Sequence, residues 1–287
     1  MEQQSTISTD NTDQVSLGLY IGEGLIIMII NIALLAVIVL KSGIRKQKEF
    51  ILYAGFIIFD IIFGLSYTTV GVHRLIVYFN NKYYPLTTRF TCLLIPRNIL
   101  FVYITPTAGI LTVVYALDRF YSLFNPVGYM KRSISYVYSI LFVTFSFPLI
   151  FIVAAFITSA QFNRVAVIPE IFMAMRVTRI AGSVIAAIIY IPITIKVYIR
   201  FRVMNKLHVI SGGGWKSFRT TLTVLLLCLN TLILYAFPDL IVLIDPSTTT
   251  NFFYILNLNK GIVNIVIFFT TQKTLRHVIY TSLFKKE

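Results

Sequence analysis

Single charged and amide side chains lie inside long apolar runs of this sequence, where their chemistry is most constrained. Asn31, Asp60 and Lys260 each fall within such a run, and Asp118 and Arg119 are adjacent near the end of another. Ionisable groups in apolar segments are costly unless they pair with one another or line a polar cavity. The sequence therefore predicts buried ion pairs, and each of these residues is a candidate for function.

The groups needed for catalysis or metal binding do not occur together. His73, His208 and His277 lie at or beyond the ends of the apolar runs, and neither G-x-S-x-G nor H-E-x-x-H is present. The two cysteines, Cys92 and Cys228, are too few for a disulfide framework, and no His/Cys cluster has metal-ligand spacing. We predict that the protein is not an enzyme and has no cofactor and no metal site.

The composition requires a lipid bilayer around these runs. Of the 287 residues, 57 % are hydrophobic and only 13 % charged, and the mean hydropathy is +0.82. A soluble domain is about half apolar and about a quarter charged, so a soluble fold could not bury this chain, whereas a bilayer could. The net charge of +14 does not indicate a nucleic acid, because the basic residues occupy short loops between apolar runs.

Seven apolar runs predict an all-α membrane protein, a seven-transmembrane helix bundle. The breaks between the runs are polar, basic or rich in glycine and proline, and no internal repeat is visible in the sequence. The predicted runs cover residues 19–40, 50–72, 93–117, 137–159, 178–199, 219–243 and 252–271.

The basic residues predict the orientation. Most of the 25 Lys and Arg residues lie in the loops after the first, third and fifth runs and in the C-terminal tail, and cytoplasmic loops carry such an excess. We expect residues 1–18 to be a short extracellular tail, 19–271 the seven-transmembrane domain, and 272–287 a cytoplasmic amphipathic helix and tail. The predicted C-terminal helix has one apolar face, formed by Leu275, Val278, Ile279 and Leu283.

The most specific pattern is the string ALDRFYSLFNPVGY, which runs from Ala116 to Tyr129 at the end of the third run. Taken alone, Arg119 would be a basic side chain that reaches the membrane interface. The whole string resembles rhodopsin-like G-protein-coupled receptors. Their third helix ends in Asp-Arg-Tyr, with a proline seven residues after the arginine and a tyrosine three residues further on. Pro126 and Tyr129 keep that spacing, and Phe120 replaces the family tyrosine.

The resemblance implies a plasma-membrane receptor that activates a heterotrimeric G protein. Asn264 to Phe268 resembles the family's Asn-Pro-x-x-Tyr without its proline, and Phe237-Pro238 resembles the proline kink of the sixth helix. The residues to which the resemblance assigns coupling and activation are Asp118, Arg119, Phe120, Pro126, Tyr129, Pro238, Asn264 and Phe268. The predicted intramembrane polar core consists of Asn31, Asp60, Lys260 and Asn264. Asn31 and Asp60 match family positions that carry Asn and Asp.

Several departures from the family pattern indicate which group of these receptors the chain most resembles. Ala236 replaces the usual tryptophan of the sixth helix, and no cysteine between residues 161 and 179 is available to pair with Cys92. Cys228 lies at the wrong depth to replace it, so both thiols are expected to be free. Together with Phe120 and the altered seventh helix, these departures most resemble the nematode chemosensory serpentine receptors. That resemblance implies an odorant or similar small molecule as the ligand.

The family binds its ligands between the outer halves of the helices. Polar and aromatic groups in the corresponding parts of this chain are the predicted ligand-binding residues: Arg97, Phe101, Tyr103, Thr105, Arg179, Tyr235 and Asp239. The alternative is that the arginines extend to the membrane interface or pair within the protein, and that Tyr235 belongs to the core.

Lys260 lies one helical turn before Asn264, inside an apolar run. Many family members hold a sodium ion near the positions that match Asp60 and Asn264. We expect the Lys260 ammonium to replace that ion and to pair with Asp60, because a buried pair is far less costly than two separate charges. The alternative partners for Lys260 are Glu23 and Asp239.

A ligand-gated channel or a transporter is the alternative function. It predicts charged pairs at mid-membrane, and Asp60 with Lys260 could be one. Such proteins often contain broken helices and paired repeats, and neither is visible in this sequence. The string from Ala116 to Tyr129 favours the receptor.

Overall fold

The computed structural model of the protein describes residues 11–79, 89–161, 169–206, 212–244, 251–273 and residue 276. Within these ranges the chain is helical and contains no strand. Inside a bilayer only helices and closed barrels satisfy every backbone polar group. The long runs of Leu, Ile, Val and Phe therefore form helices whose N–H and C=O groups bond within each segment.

The helices are numbered here in chain order, and a single π-helical turn, Leu232–Ala236, joins α10 to α11. Their bounds are α1 Asn11–Leu40, α2 Ser42–Arg45, α3 Lys48–Phe79, α4 Arg89–Leu94, α5 Pro96–Phe124, α6 Pro126–Lys131, α7 Ile134–Ser146, α8 Leu149–Gln161, α9 Pro169–Lys206, α10 Gly212–Thr231, α11 Phe237–Ile244 and α12 Asn251–Thr271.

Six stretches of the described helices are long and apolar enough to cross a bilayer, which supports the prediction of an all-α multi-pass membrane protein. They are Val15–Leu40, Lys48–Val77, Pro96–Phe124, Ile134–Ser159, Met173–Ile199 and Arg219–Ile244. The seventh predicted run corresponds to α12, whose apolar part, Ile255–Thr271, is shorter. As a whole, α12 has 21 residues, which corresponds to about 31 Å of helix.

The ends of the chain differ in part from the predicted tails. α1 begins at Asn11, so the second half of the predicted tail 1–18 is helical. Leu17 and Tyr20 are buried in the core, because this part of α1 packs on Gly71 of α3. The predicted C-terminal helix lies outside the described residues, apart from Gln272, Lys273 and Arg276.

The long helices form a closed ring around α5. α1 packs against α3 and α12, α12 packs against α10, and α9 packs against α10 and, more extensively, α5. α5 also contacts α3, α7, α8 and α10. A side chain on α5 can therefore reach most of the bundle, and α5 carries both Arg97 and Arg119. We call the two ends of the bundle the Arg97 end and the Arg119 end.

The distribution of side chains suits a membrane. Bulky aromatic residues such as Phe56, Phe63 and Tyr115 fill the interior, whereas Phe142 and Ile191 are exposed on the outer surface. Charged and amide groups are buried beside the aromatic core. Lipid can solvate the apolar outer surface, and polar groups inside a membrane protein face the bundle interior.

Prolines lie within the long helices or at breaks between them. Pro148 separates α7 from α8, and Pro106 and Pro192 lie inside α5 and α9. Pro238 is the second residue of α11, which begins directly after the π-helical turn. Proline lacks the N–H that the preceding turn would use, and π-helical turns often accompany such a break. The proline kink predicted at Phe237-Pro238 corresponds to this π-helical turn, which is wider than an α-helical turn.

Two glycine pairs set the distance between the most extensively packed helices. A Cβ on Gly64 would lie 2.6 Å from the Gly24 carbonyl oxygen, so α1 and α3 touch backbone to backbone. A Cβ on Gly182 would lie 2.6 Å from the Gly109 carbonyl oxygen, and one on Gly109 would lie 2.7 Å from the Cα of Arg179. Small residues allow this close approach between membrane helices, and the α5–α9 contact places Arg179 against α5.

We predict that Gly109→Ala and Gly182→Ala each destabilise the protein by about 1–3 kcal/mol, because the new methyl group must displace backbone. The readout is the thermal unfolding midpoint of the purified chain in detergent. Gly22→Ala is the matched control, because a Cβ there meets nothing within 4 Å; its midpoint should stay constant or rise slightly. Equal midpoints for all three variants would contradict a tight α5–α9 contact.

Candidate functional site

Polar side chains form three clusters along the interior of the bundle. One lies at the Arg119 end, one surrounds Lys260 near the middle, and one joins Arg179 to Asp239. The second and third clusters share Tyr235. The ion pairs in these three clusters are nearly inaccessible to solvent.

At the Arg119 end, the guanidinium of Arg119 is held by its neighbour and by the following helix. Its Nη2 and Nε donate to Asp118 Oδ2 at 2.5 and 3.0 Å, and Nη2 also donates to the Tyr129 hydroxyl at 3.2 Å. The Arg119 residue is only 4 % exposed. Asp118 Oδ1 has no hydrogen-bond partner among the described residues. Asp118 therefore forms the ion pair through Oδ2 alone.

Tyr129 is positioned by α6 and by a lysine of α3. Asn125 caps α6 by accepting a hydrogen bond from the Gly128 N–H, and Lys48 Nζ donates to the Tyr129 carbonyl at 2.8 Å. Burial raises the pKa of Tyr129, although the Arg119 guanidinium opposes this effect. The phenol therefore stays protonated. It accepts from Arg119 and donates to Asp118 Oδ2 at 3.5 Å.

Phe120 and Pro126 have supporting positions in this cluster. The Phe120 ring stacks on Phe124 of the same helix at 4.2 Å between centroids. Pro126 begins α6, directly after Asn125. A proline at the first helical position fits because its missing N–H would have no partner there. The string from Ala116 to Tyr129 thus forms a helix, a cap and a second helix that together enclose Arg119.

Near the middle of the bundle, Lys260 of α12 pairs with Asp60 of α3. The distance from Lys260 Nζ to Asp60 Oδ1 is 3.3 Å, and the two residues are 1 % and 0 % exposed. This confirms the predicted pair. Asp239 instead pairs with Arg179, and Glu23 Oε2 has no hydrogen-bond partner among the described side chains. Neither alternative partner of Lys260 is used.

Amides complete the cluster around Asp60. Asn264 donates to Asp60 Oδ2 at 2.9 Å, and Asn230 of α10 donates to Asn264 Oδ1 at 2.8 Å and to the Lys260 carbonyl at 2.9 Å. Asn31 lies apart from this chain of bonds, because its amide donates to Ile27 of its own helix. A chain of hydrogen bonds thus links α3, α12 and α10. The contribution of Asn230 was not predicted, although an amide in the sixth apolar run was visible in the sequence.

Aromatic rings surround the Lys260 ammonium. Nζ lies 4.4 Å from the centroid of Phe59, 5.6 Å from Phe63 and 5.7 Å from Tyr235. Rings at these distances attract a cation through their quadrupole. The ammonium therefore has one carboxylate partner and a shell of π faces.

The third cluster joins α9 to α11. Arg179 and Asp239 form a salt bridge, and the Arg179 guanidinium carbon lies 3.8 Å from the centroid of Tyr235. Tyr235 belongs to the π-helical turn that precedes Pro238. Its ring therefore lies between two cations, Arg179 and Lys260. The interpretation that the arginine pairs internally is correct for Arg179.

The remaining predicted ligand residues do not all converge. The Tyr103 hydroxyl donates to the Phe145 carbonyl of α7 at 2.9 Å, and the Thr105 hydroxyl donates to the Phe101 carbonyl at 2.7 Å. The Tyr103 hydroxyl therefore joins α5 to α7, whereas the Thr105 hydroxyl bonds within α5. The Phe101 ring contacts Tyr67 at 5.3 Å, and Arg97 Nε is buried with no hydrogen-bond partner among the described residues. Of this set, Arg179, Tyr235 and Asp239 form one site.

A fourth group of bonds, which was not predicted, fastens α10 to its neighbours at the Arg119 end. Gln272 Nε2 donates to the Tyr53 hydroxyl at 3.0 Å and to Thr223 Oγ1 at 2.6 Å. Tyr53 also donates to the Thr220 carbonyl of α10 at 3.3 Å, and its ring packs against Phe268 at 5.3 Å. We call Tyr53, Thr223 and Gln272 the Tyr53 latch. Each residue is individually ordinary, so the sequence carries no signal for it.

No protein-family model matches the chain, and no curated protein matches it either.

We predict that Asp60→Asn and Lys260→Met each destabilise the protein by about 3–5 kcal/mol, because each leaves a buried charge without its partner. The double variant Asp60→Asn/Lys260→Met should be less destabilised than the sum of the single variants. Thermal unfolding midpoints in detergent measure both effects. Additive losses would show that the two side chains are not coupled.

Proposed function

We propose that this chain is a rhodopsin-like G-protein-coupled receptor of chemosensory type in the plasma membrane. α12 provides the seventh crossing, since about 31 Å of helix matches a hydrocarbon core of about 30 Å. The N-terminus is then extracellular and the Arg119 end cytoplasmic, as the distribution of Lys and Arg indicates. A small molecule binds towards the Arg97 end, and a heterotrimeric G protein binds at the Arg119 end.

The observation that carries this proposal is the enclosed arginine at the end of α5. Arg119 is a permanent cation near the membrane interface, yet it is buried rather than extended into lipid headgroups or water. Its partners are Asp118 and the phenol of Tyr129, both in the same string. If the surrounding helices move apart, the Arg119 guanidinium becomes accessible to a G protein.

The Tyr53 latch supports a resting state in which that movement is prevented. Gln272 and Tyr53 connect α12, α3 and α10 at the Arg119 end. For α10 to swing outward, the bonds to Thr220 and Thr223 must break. The π-helical turn before Pro238 provides a break in the regular helix about which such a swing could occur.

Ligand binding would act through the Arg179–Asp239 pair. A polar or anionic molecule that competes with Asp239 for Arg179 would disturb the contact between Arg179 and Tyr235. Tyr235 also faces Lys260, whose carbonyl accepts a hydrogen bond from Asn230 of α10. A ligand that prefers one arrangement of these groups shifts the equilibrium of the bundle by its difference in affinity.

A ligand-gated channel or transporter is the second candidate. The observation that favours it is the Asp60–Lys260 pair, an acid and a base at mid-membrane. Such pairs occur on ion and proton pathways.

We predict that a ligand found by panel screening in cultured cells activates a G protein and that Arg119→Ala abolishes this response at equal surface expression. G-protein activation and membrane current are recorded from the same cells. Arg74→Ala is the matched control, because it removes an exposed arginine near the Arg97 end of α3 and should retain the response. A ligand-evoked current that survives both Arg119→Ala and G-protein blockade would establish the channel or transporter instead.

We predict that Tyr53→Phe raises ligand-independent G-protein activation by roughly fivefold. Losing the hydroxyl removes bonds worth about 1 kcal/mol to the resting state, while the ring packing on Phe268 is kept. The control is Tyr198→Phe, which removes the same hydroxyl from a tyrosine that is 64 % exposed on α9. Basal activity that is equal in the two variants would show that the Tyr53 latch does not restrain α10.

A further inference from the structure

Basic residues from two segments of the described chain lie at the Arg119 end, on the side formed by α3 and α7. Lys46 precedes α3, and Lys48 is its first residue. Lys131 ends α6, and Arg132 lies between α6 and α7. Because α3 packs against α7, these segments bring their charges to one side of the bundle. We call Lys46, Lys48, Lys131 and Arg132 the Arg132 patch.

A row of three tyrosine rings connects the two segments. Lys48 Nζ donates to the Tyr129 carbonyl at 2.8 Å and lies 5.0 Å from the centroid of the Tyr129 ring. The Tyr121 ring lies 6.1 Å from the ring of Tyr129 and 6.4 Å from that of Tyr136. The Arg132 guanidinium carbon lies 5.7 Å from the centroid of Tyr121 and 5.1 Å from that of Tyr136. The row therefore holds one cation at each end through cation–π contacts.

Three cations of the patch have unused hydrogen-bond donors. Lys46, Lys131 and Arg132 are exposed, and none of them forms a side-chain hydrogen bond or an ion pair with a described residue. A guanidinium presents its N–H groups as a planar fork that matches two oxygen atoms of a phosphate. The two tyrosine rings restrict the Arg132 side chain, so less conformational freedom is lost when an anion binds.

The Arg132 patch carries an excess of positive charge. The acidic residue beside it is Glu49, whose electrostatic effect reaches Tyr129. Asp118 is also near Tyr129, but it already forms an ion pair with Arg119. Among the described residues, one carboxylate therefore accompanies the four cations of the patch. This balance favours a ligand that carries more than one negative charge.

The depth of the patch corresponds to the level of lipid headgroups. Two stretches that are long and apolar enough to cross a bilayer, Lys48–Val77 and Ile134–Ser159, begin beside it. Tyrosine rings are common at this level, where the hydrocarbon meets the headgroups. A headgroup that lies against the bundle therefore reaches Arg132 while its tails stay in the bilayer. The occupant that this position favours is a lipid rather than a soluble molecule.

We propose that the Arg132 patch binds the phosphorylated headgroup of an anionic phospholipid. The Arg132 fork donates to two phosphate oxygens, and the lysines of the patch neutralise the remaining charge. A phosphate monoester carries a charge of about −1.5 to −2 at pH 7, which suits this excess of cations better than the singly charged phosphodiester does. The proposal concerns lipid binding alone and does not depend on G-protein signalling.

The test uses the full chain, purified in detergent and freed of bound lipid. The probes are phosphatidylinositol bisphosphate, phosphatidylserine and phosphatidylcholine, and native mass spectrometry measures the affinity of each lipid. We expect phosphatidylinositol bisphosphate to bind roughly tenfold more tightly than phosphatidylserine. The reason is that its additional charge meets more than one basic residue, each of which contributes about fivefold near an anionic surface.

Two variants at one position separate the fork from the charge. Arg132→Gln should weaken the binding of phosphatidylinositol bisphosphate about fivefold. Arg132→Lys keeps the charge but loses the fork, and should weaken it by about threefold. Arg202→Gln is the matched control, because it removes an exposed arginine of α9 outside the patch and should leave the affinity unchanged. Thermal midpoints verify folding, and Lys131→Gln provides an independent loss at a second exposed position of the patch.

Equal affinities for phosphatidylinositol bisphosphate and phosphatidylserine would overturn the proposal. So would equal losses in Arg132→Gln and Arg202→Gln, which would show that only diffuse surface charge attracts the lipid. Soluble inositol trisphosphate is the last probe. If it binds as tightly as the lipid, the occupant is a soluble phosphate and the lipid proposal is wrong.

Discussion

The pairing of fully buried acidic and basic side chains within the bundle governs the arrangement of the helices. In hydrocarbon there is no water to solvate an ion, so an unpaired carboxylate or ammonium is strongly unfavourable. Asp60 of α3 must meet Lys260 of α12, and Arg179 of α9 must meet Asp239 of α11. These two pairs tie together helices that are distant in the sequence. The third ion pair, Asp118–Arg119, joins adjacent residues of one helix and so does not connect two helices. The connection to α6 comes instead from the hydrogen bond between Arg119 and Tyr129.

Close packing by small residues makes those pairings possible. Gly109 and Gly182 bring the backbones of α5 and α9 into contact, and this places Arg179 where it reaches both Asp239 and the ring of Tyr235. The prolines and the π-helical turn have a different effect, because they interrupt the regular backbone hydrogen bonds of the helices. Rigid contacts and a local weakness therefore coexist in the same bundle. The weak point lies on the chain segment α10–α11, which the Tyr53 latch fastens at one end only.

The sequence predicts the six long apolar helices that the structure contains, because hydropathy reports directly on the solvent that surrounds each side chain. It also predicts the pair of Asp60 with Lys260, since few partners were available to each. It does not predict the Tyr53 latch. Tyr53, Thr223 and Gln272 are common residues whose significance arises only from the distance between three helices. Tyr103 shows the converse, because its depth suggested a ligand contact while its hydroxyl bonds to the carbonyl of Phe145 on another helix. The position of a residue along a membrane helix can be predicted from sequence. The direction in which its side chain points depends on the rotation of the helix about its axis, which packing determines.

The pairing of Asp60 with Lys260 has an electrical consequence. Moving one elementary charge across a membrane held at 100 mV changes its energy by about 2.3 kcal/mol. An acid and a base that move together carry no net charge, so displacing the pair through the field changes the energy very little. The same holds for Arg179 with Asp239. Where a mobile ion neutralises a carboxylate, voltage can drive that ion in or out. Here the neutralising cation is bound covalently to α12, and rearrangements that keep these pairs intact are therefore insensitive to membrane potential.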